Sequence, residues 1–157
     1  YTARTVEGLD YPIHCRGTSA EDATATVILD ENLEAEGHDF FSLETFELDR
    51  SQRLLAYSVD TDGSERYTMR VRDLDTGDDL PDALHDVSWG GAAWSSDSTW
   101  LLYVTADDQM RPDKVWRHRL GTQQADDVLV FHEPDERFFV GVELTRSDEW
   151  IIIGAHS

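Results

Sequence analysis

One pattern of apolar and polar positions occurs three times along the chain and predicts a repeated β-hairpin. The copies are residues 46–57 (FELDRSQRLLAY), 92–103 (AAWSSDSTWLLY) and 142–153 (VELTRSDEWIII). Each copy has an apolar strand, a polar turn with Asp and Ser, and an apolar pair that opens the next strand. Asp and Ser suit such a turn because their side chains bond to the nearby backbone and tolerate tight dihedral angles.

The spacing of the three copies predicts how the hairpins assemble. Tyr57, Tyr103 and Ile153 occupy equivalent places, 46 and 50 residues apart. A period of this size, with several short strands in each unit, is typical of a β-propeller. Because a single hairpin cannot bury its own apolar face, we expect the copies to stack on one another.

Further strand patterns complete each unit. Residues 67–74 alternate between apolar and polar side chains in the first unit, and residues 115–120 and 128–131 supply two strand patterns in the second. We therefore predict an all-β fold, a partial β-propeller of four-stranded antiparallel blades, with about three blades in this chain. Helix is expected only as a turn at residues 32–37, with Asn32 as its cap.

The repeat also predicts how the chain is divided. The chain lacks an initial Met and ends directly after an apolar strand pattern, so we expect it to be a piece of a longer protein. The predicted parts are residues 1–45 as the later strands of one blade, 46–91 and 92–141 as whole blades, and 142–157 as the first strands of the next blade.

Charge and cysteine content narrow the possible partners. With 33 acidic and 13 basic residues, the formal net charge is −20. Such a charge disfavours nucleic acid and anionic membrane surfaces as partners, since both require a positive protein surface. It would attract cationic ligands, although the alternative is that the charge serves solubility alone. Cys15 is the only cysteine, so no internal disulfide forms, and we expect a cytoplasmic location.

The sequence carries no recognisable catalytic motif. It contains no Gly-x-Ser-x-Gly nucleophile elbow, no Gly-rich phosphate loop and no His-Glu-x-x-His. Residues 60–65 (DTDGSE) have the composition of a calcium loop but lack its spacing, so an ordinary turn is expected there. We therefore predict no catalytic residue, no metal site and no cofactor in these 157 residues.

Several segments resemble the N-terminal propeller of the prolyl oligopeptidase family, especially its oligopeptidase B branch, also called protease II. The resemblance implies a seven-bladed propeller that caps an α/β-hydrolase domain, which carries the catalytic Ser, Asp and His and is absent from this chain. It also implies hydrolysis of short peptides after Lys or Arg, with the propeller excluding folded proteins. The segments that carry the resemblance are residues 5–16, 29–43, 54–82, 90–98, 110–122 and 134–140.

Two residues are candidates for the substrate cavity. In the related prolyl oligopeptidases, the segment before the innermost strand of a blade projects apolar side chains toward the substrate. Residues 87–94 (VSWGGAAW) and 136–144 (ERFFVGVEL) resemble those segments, which implies that Trp89 and Phe139 reach the cavity. Both also lie on the loop side of the predicted blades, where propellers place binding groups. The alternative is that both rings pack between blades.

Two classes of function therefore stay open. The first is a non-catalytic gating domain of a cytosolic serine oligopeptidase, joined to its own C-terminal hydrolase domain and acting on short basic peptides. The second is a stand-alone propeller that binds protein or peptide partners. In either case residues 151–153 form an apolar strand whose outer partners are missing, so we expect the chain to self-associate by strand addition.

Overall fold

The computed structural model describes residues 1–19 and 25–157, and in these residues the chain forms twelve strands, one helix and one 3-10 turn. The short connections between strands keep consecutive strands adjacent in space. The elements are β1 (Thr2–Arg4), β2 (Ile13–Arg16), β3 (Thr26–Asp30), α1 (Glu31–Glu34), β4 (Ser42–Leu48), β5 (Leu54–Asp60), β6 (Tyr67–Asp73), β7 (Asp79–Trp94), β8 (Trp100–Ala106), β9 (Pro112–Arg119), the 3-10 turn (Gln124–Asp126), β10 (Val128–His132), β11 (Phe139–Leu144) and β12 (Ile151–His156).

The strands form three antiparallel sheets. The first contains β1 to β3, the second contains seven strands in sequence order from β4 to β10, and the third is the pair β11 and β12. Strand β7 has two pairing partners: its first half, up to Val87, pairs with β6, and its second half, from Val87 onwards, pairs with β8. The prediction of an all-β fold made of antiparallel blades is confirmed.

The predicted boundaries between blades all fall inside strands. The boundary after residue 45 lies within β4, the boundary after residue 91 lies within β7, and the boundary after residue 141 lies within β11. The repeat was aligned on the hairpin turn, and the first residues of each inner strand share no pattern that would mark where the strand begins. The division into blades therefore stays a prediction, with the inner strands starting earlier than residues 46, 92 and 142.

Three apolar layers hold the sheets together. Along β5, Leu55 and Tyr57 point into the layer shared with the first sheet, whereas Ala56 points into the next layer. Along β8, Leu101 and Leu102 divide between two layers in the same way. Successive side chains of a strand point to opposite faces, so a strand between two layers must be apolar on both. This accounts for the continuous apolar runs in the second strand of each hairpin.

A partly buried cation on β6, Arg72, connects α1 to the central sheet. The Arg72 guanidinium donates to Asp79 Oδ1 at 2.8 Å through Nε and to Glu34 Oε1 at 2.9 Å through Nη2. It also donates to the hydroxyl of Tyr57 at 3.0 Å, and the pKa of Tyr57 is raised by burial and by its hydrogen bond to Asp79. The Arg72 cation thus joins carboxylates from two successive parts of the chain.

An equivalent contact occurs 46 residues later, on β9. The ring of His118 is buried, with Nδ1 at 2.7 Å from Asp127 Oδ1 and Nε2 at 2.9 Å from Asp82 Oδ1. Asp127 accepts a further hydrogen bond from the Tyr103 hydroxyl at 2.8 Å. Asp82 lies on the first half of β7, so His118 ties one blade to the outer strand of the blade before it.

The predicted helical turn exists but begins earlier than expected. Helix α1 spans Glu31–Glu34, and its N-cap is Asp30, whose side chain accepts from the Asn32 backbone N–H at 3.0 Å. Asn32 instead binds the backbone of Tyr11 through both side-chain atoms, at 3.0 and 2.9 Å. Asp30 can cap the helix because it ends β3 with extended dihedral angles, which a capping residue requires.

Candidate functional site

The two residues proposed from the sequence lie side by side at the start of the third sheet. The ring centroids of Trp89 and Phe139 are 5.8 Å apart, with an angle of 38° between the ring planes. Trp89 is 44% exposed and Phe139 is 43% exposed, so the pair presents aromatic surface to solvent as well as contacting across two blades. Phe139 opens β11, whereas Trp89 lies within the continuous strand β7 rather than in a segment before a strand.

Two glycines allow the strands that carry these rings to approach closely. A Cβ added at Gly90 would lie 2.7 Å from the Val140 carbonyl oxygen and 2.7 Å from Val104 Cγ1. A Cβ added at Gly91 would lie 2.7 Å from the carbonyl oxygen of Val142, and Gly91 also has φ +85°. Any other side chain would push β11 away from β7 and separate the two rings. The Gly-Gly pair directly after Trp89 is the feature of the sequence that permits this close approach.

Arg111 holds the segment that leads to Phe139. Its Nη1 atom donates to the backbone carbonyls of Glu133 at 3.2 Å, Asp135 at 3.2 Å and Phe138 at 2.9 Å. The side chain is 10% exposed although it carries a full charge. The sequence does not indicate this role of Arg111, because backbone carbonyls leave no signature in it.

The charge of Arg111 is balanced by Asp107 in the same turn. Asp107 Oδ2 accepts from Arg111 Nε at 2.9 Å, while Oδ1 accepts from the backbone N–H groups of Gln109 at 2.9 Å and Arg111 at 3.0 Å. Burial opposes ionisation of Asp107, but these hydrogen bonds lower its pKa overall. The carboxylate therefore stays ionised beside the guanidinium and fixes its orientation.

A cavity of about 440 Å³ adjoins this arrangement. It is lined by Phe139, Met110 and Arg111, together with Asp107, Gln109 and Glu136. A larger cavity, of about 590 Å³, lies among the turns that follow β4, β6 and β7, near Asp49 and Ser98 and away from the aromatic pair. Of these two cavities, the smaller one adjoins the aromatic pair, through Phe139.

The remaining sequence motifs have structural roles. Asp60 Oδ1 accepts from the backbone N–H groups of Asp62 and Gly63, each at 2.9 Å, and Oδ2 accepts from that of Glu65 at 2.8 Å. Residues 60–65 are thus an ordinary turn. Among the described residues, no cluster of three or more His, Cys, Asp or Glu side chains is arranged to hold a metal ion. No helix in the described parts of the chain is both long and apolar enough to cross a membrane.

Comparison with known proteins gives matches over the whole chain. Residues 1–157 match the family model described as prolyl oligopeptidase, N-terminal beta-propeller domain. Dipeptidyl aminopeptidase BI of Pseudoxanthomonas mexicana is 36% identical over 100% of this chain and 24% of its own length. Protease 2 of Moraxella lacunata is 34% identical over the same shares of both chains. Oligopeptidase B from Leishmania major has a solved structure that matches with a TM-score of 0.91 and 31% identity, over 99% of this chain and 22% of that one.

These matches agree with the fold and with the resemblance found in the sequence. The chain spans about a quarter of the length of the curated relatives it matches. Both relatives bear the names of peptidases, and the matching structure is that of an oligopeptidase. The chain belongs to the family of N-terminal β-propeller domains of prolyl oligopeptidases.

Proposed function

We propose that this chain is the non-catalytic propeller of a serine oligopeptidase that hydrolyses short peptides after Lys or Arg. In this role the propeller packs against a C-terminal α/β-hydrolase domain and filters substrates by size, so that folded proteins are excluded. Family membership and the similarity to oligopeptidase B support this proposal. The absence of a Gly-x-Ser-x-Gly motif from the sequence is consistent with a nucleophile supplied by another domain.

The observation that carries the proposal is the exposed pair of Trp89 and Phe139. Aromatic rings that stay more than two fifths exposed while contacting each other offer a rigid apolar surface to a ligand. The pair lies where the first strand of a blade begins. The resemblance to prolyl oligopeptidases implies that this side of the propeller faces the substrate. We therefore assign these two rings to the lining of the substrate cavity.

Charge and cysteine content support two further parts of the proposal. The net charge of −20 raises the local concentration of cationic peptides, which fits a substrate with Lys or Arg. The only cysteine, Cys15, is buried and free, as is usual for proteins of the cytoplasm. A cytoplasmic location belongs to the proposal and is tested by fractionating cells that express the full-length protein.

The test of this function uses the full-length protein and blocked peptide amides that carry Arg before the cleaved bond and apolar residues upstream. We expect hydrolysis that serine-directed inhibitors abolish. Trp89→Ala or Phe139→Ala should raise KM about tenfold with little change in kcat, because the rings contribute binding rather than chemistry. The isolated 157-residue chain should show no turnover.

Two other exposed aromatic residues provide matched controls. Trp150 follows the turn between β11 and β12, and Phe40 precedes β4, so neither lies at the proposed cavity. Trp150→Ala and Phe40→Ala should leave KM unchanged. Equal effects from all four substitutions would reject the assignment of Trp89 and Phe139.

The same reporters distinguish the other possible functions. A full-length protein that hydrolyses none of them would support the alternative of a propeller that binds partners without enzymatic activity. Release of dipeptides only from peptides with a free N-terminus would match the activity named for the Pseudoxanthomonas relative. Cleavage of a folded protein at the rate of a short peptide would reject the filter.

A further inference from the structure

The segment between β10 and β11 lacks an apolar anchor of its own. Each of residues 133–138 is at least partly exposed, and burial resumes only at Val140. The contacts inside the segment are short-range, such as the Phe138 N–H to the Asp135 carbonyl at 3.0 Å and the Asp135 N–H to Glu133 Oε1 at 2.9 Å. The segment is tied at its two ends, by the Glu133 N–H to the Asp113 carbonyl at 2.9 Å and by the pairing of Phe139 with His156, and residues 134–138 lie between these points.

Arg111 anchors the interior of this segment, through Asp135 and Phe138. Its Nη1 atom lies within 3.2 Å of three carbonyl oxygens, of Glu133, Asp135 and Phe138. Since Nη1 carries only two hydrogens, one of them is shared between two carbonyls. The carbonyl of Phe138 belongs to the peptide bond that joins Phe138 to Phe139, so this contact acts directly on the position of the Phe139 backbone.

The guanidinium itself is held rigidly. One carboxylate oxygen of Asp107 accepts a hydrogen bond from Arg111 Nε, and the other accepts from the backbone N–H groups of Gln109 and Arg111. The turn closes further through the Asp107 N–H to the Arg111 carbonyl at 2.9 Å, and Met110 adopts φ 64° to make it. The turn that precedes β9 thus presents a fixed cation to the segment that precedes β11.

We propose that Arg111 is a positioning residue for substrate binding, because it sets the place of Phe139 against Trp89. This inference rests on the proposed function, in which the two rings contact the peptide. Arg111 does not contact the substrate in this proposal, and its effect passes through the carbonyls of residues 133–138 to Phe139. It therefore controls how well the apolar side chains of a peptide are bound, and leaves the chemical step unchanged.

The test compares two reporters in the full-length protein. One is an Arg amide preceded by apolar residues, and the other is a single Arg amide that cannot reach the aromatic pair. Arg111→Met should raise KM about tenfold for the longer reporter alone, without changing kcat. In the double variant Arg111→Met/Phe139→Ala, KM should equal that of Phe139→Ala, because Arg111 acts through Phe139.

Two further variants keep the test decisive. Asp107→Asn retains an oxygen for the backbone N–H groups but releases the guanidinium, so it should reproduce the effect of Arg111→Met if that variant fails to fold. Arg72→Met removes another ion-paired arginine, which is partly buried on β6, and should lower thermal stability without changing the KM ratio of the reporters. If Arg72→Met also shifts that ratio, the effect of Arg111→Met reflects general destabilisation, and the proposal is wrong.

The outcomes separate this proposal from the proposed function. If Phe139→Ala changes the KM ratio and neither Arg111→Met nor Asp107→Asn does, Arg111 has no positioning role. If Phe139→Ala itself has no effect, the aromatic pair does not contact the peptide, and the role of Arg111 in binding falls with it. An additional loss from Arg111→Met in the Phe139→Ala background would also reject the proposal.

Discussion

At the scale of single residues, Asp49 shows how one buried carboxylate can organise a turn. Its oxygens accept from the backbone N–H groups of Arg53 at 2.8 Å and Leu54 at 2.7 Å, and from both N–H and hydroxyl of Ser51. The hydroxyl of Ser98, in the turn of the next hairpin, donates to it at 2.7 Å. Burial opposes ionisation of Asp49, but these hydrogen bonds lower its pKa overall.

The lowered pKa predicts how Asp49 affects stability at different pH values. Because its pKa is lower in the folded than in the unfolded state, its stabilising contribution is present above the unfolded value of about 3.9 and is lost as the pH falls through the folded value. Asp49→Asn should therefore lower the free energy of unfolding by about 1–3 kcal/mol at neutral pH. This difference from the wild type should shrink in acid, as measured by urea denaturation at several pH values.

Asp97 provides the control for this prediction. Its carboxylate accepts from Ser95 Oγ at 2.6 Å and from the Thr99 N–H at 3.1 Å, but it lies in an exposed turn. Since solvent can replace those contacts, Asp97→Asn should change stability much less than Asp49→Asn. If the free energy of unfolding of Asp49→Asn differs from that of the wild type by the same amount at neutral and acidic pH, the ionised Asp49 carboxylate is not the source of the stabilisation.

The residues of the candidate site differ in how far the sequence could predict them. Trp89 and Phe139 could be proposed because their segments resemble those of prolyl oligopeptidases, and the structure brings their rings together. Arg111 could not, since its partners are carbonyls 22, 24 and 27 residues further along the chain. Any residue presents a carbonyl, so no pattern of side chains indicates that three of them converge on one cation.

At the scale of elements, the three hairpins share one turn despite different residues. The side chains of Ser95 and Thr145 accept from Trp100 N–H at 2.9 Å and Trp150 N–H at 3.1 Å, as Asp49 does from Leu54 N–H. Each turn also has one residue other than Gly in the left-handed region. The sequence could predict these turns because the short polar side chains recur at the same place. The residues with positive φ are Gln52, Ser98 and Asp148, at 59°, 57° and 56°.

The start of each inner strand was harder to predict than its turn. Strand β7 runs without interruption through the expected boundary at residue 91, because the chain changes its pairing partner from β6 to β8 without turning back. A hairpin requires residues that reverse the chain, and these are visible in the sequence. A change of pairing partner along a continuous strand requires no such residues, so nothing in the sequence marks it except the Gly90–Gly91 pair.

Trp94 tests whether equivalent strands pack against one another as the repeat predicts. Its side chain is 2% exposed within the central apolar layer, next to Met69 and Leu84, and Nε1 donates to the Glu47 carbonyl on β4 at 2.9 Å. Trp94→Ala should lower the free energy of unfolding by about 3–5 kcal/mol, since it leaves a cavity and an unpaired carbonyl. Thermal and urea denaturation measure this loss.

The same substitution at an exposed position is the control. Trp150→Ala removes a ring that is 69% exposed and should change stability by less than about 0.5 kcal/mol. A thermal midpoint left unchanged by Trp94→Ala would show that the repeat had been aligned in the wrong register. Equal losses from both variants would mean that burial does not distinguish the two positions.

At the scale of the whole molecule, successive parts of the chain are joined by apolar layers and by two polar side chains, Arg72 and His118, each held between two carboxylates. Arg72 and His118 occupy equivalent places, and each contacts one carboxylate of its own blade and one from the preceding part of the chain. The sequence could predict the stacking from the period of the hairpins. It could not predict these polar contacts, because Arg in one blade and His in the next do not look like copies of one another.

The free edge of β12 leads to the last prediction, that the 157-residue chain self-associates when it is expressed alone. Strand β12 pairs with β11 on one side, and no other described strand pairs with its second edge. Ile151 and Ile153 pack against the apolar layer beneath, while Ile152 is 45% exposed. An unpaired apolar edge favours strand addition from a second copy, and the net charge of −20 should keep the product soluble.

Light scattering and sedimentation at tens of micromolar should therefore show a species larger than a monomer. Ile152→Lys should weaken the association, because a charge on an edge strand opposes the pairing of another strand. Leu33→Lys is the matched control, since it adds the same charge at an apolar residue that is 63% exposed on α1, away from the β12 edge. A monomer in the wild type would reject strand addition, and equal weakening by both variants would mean that the added charge, rather than the edge of β12, governs the association.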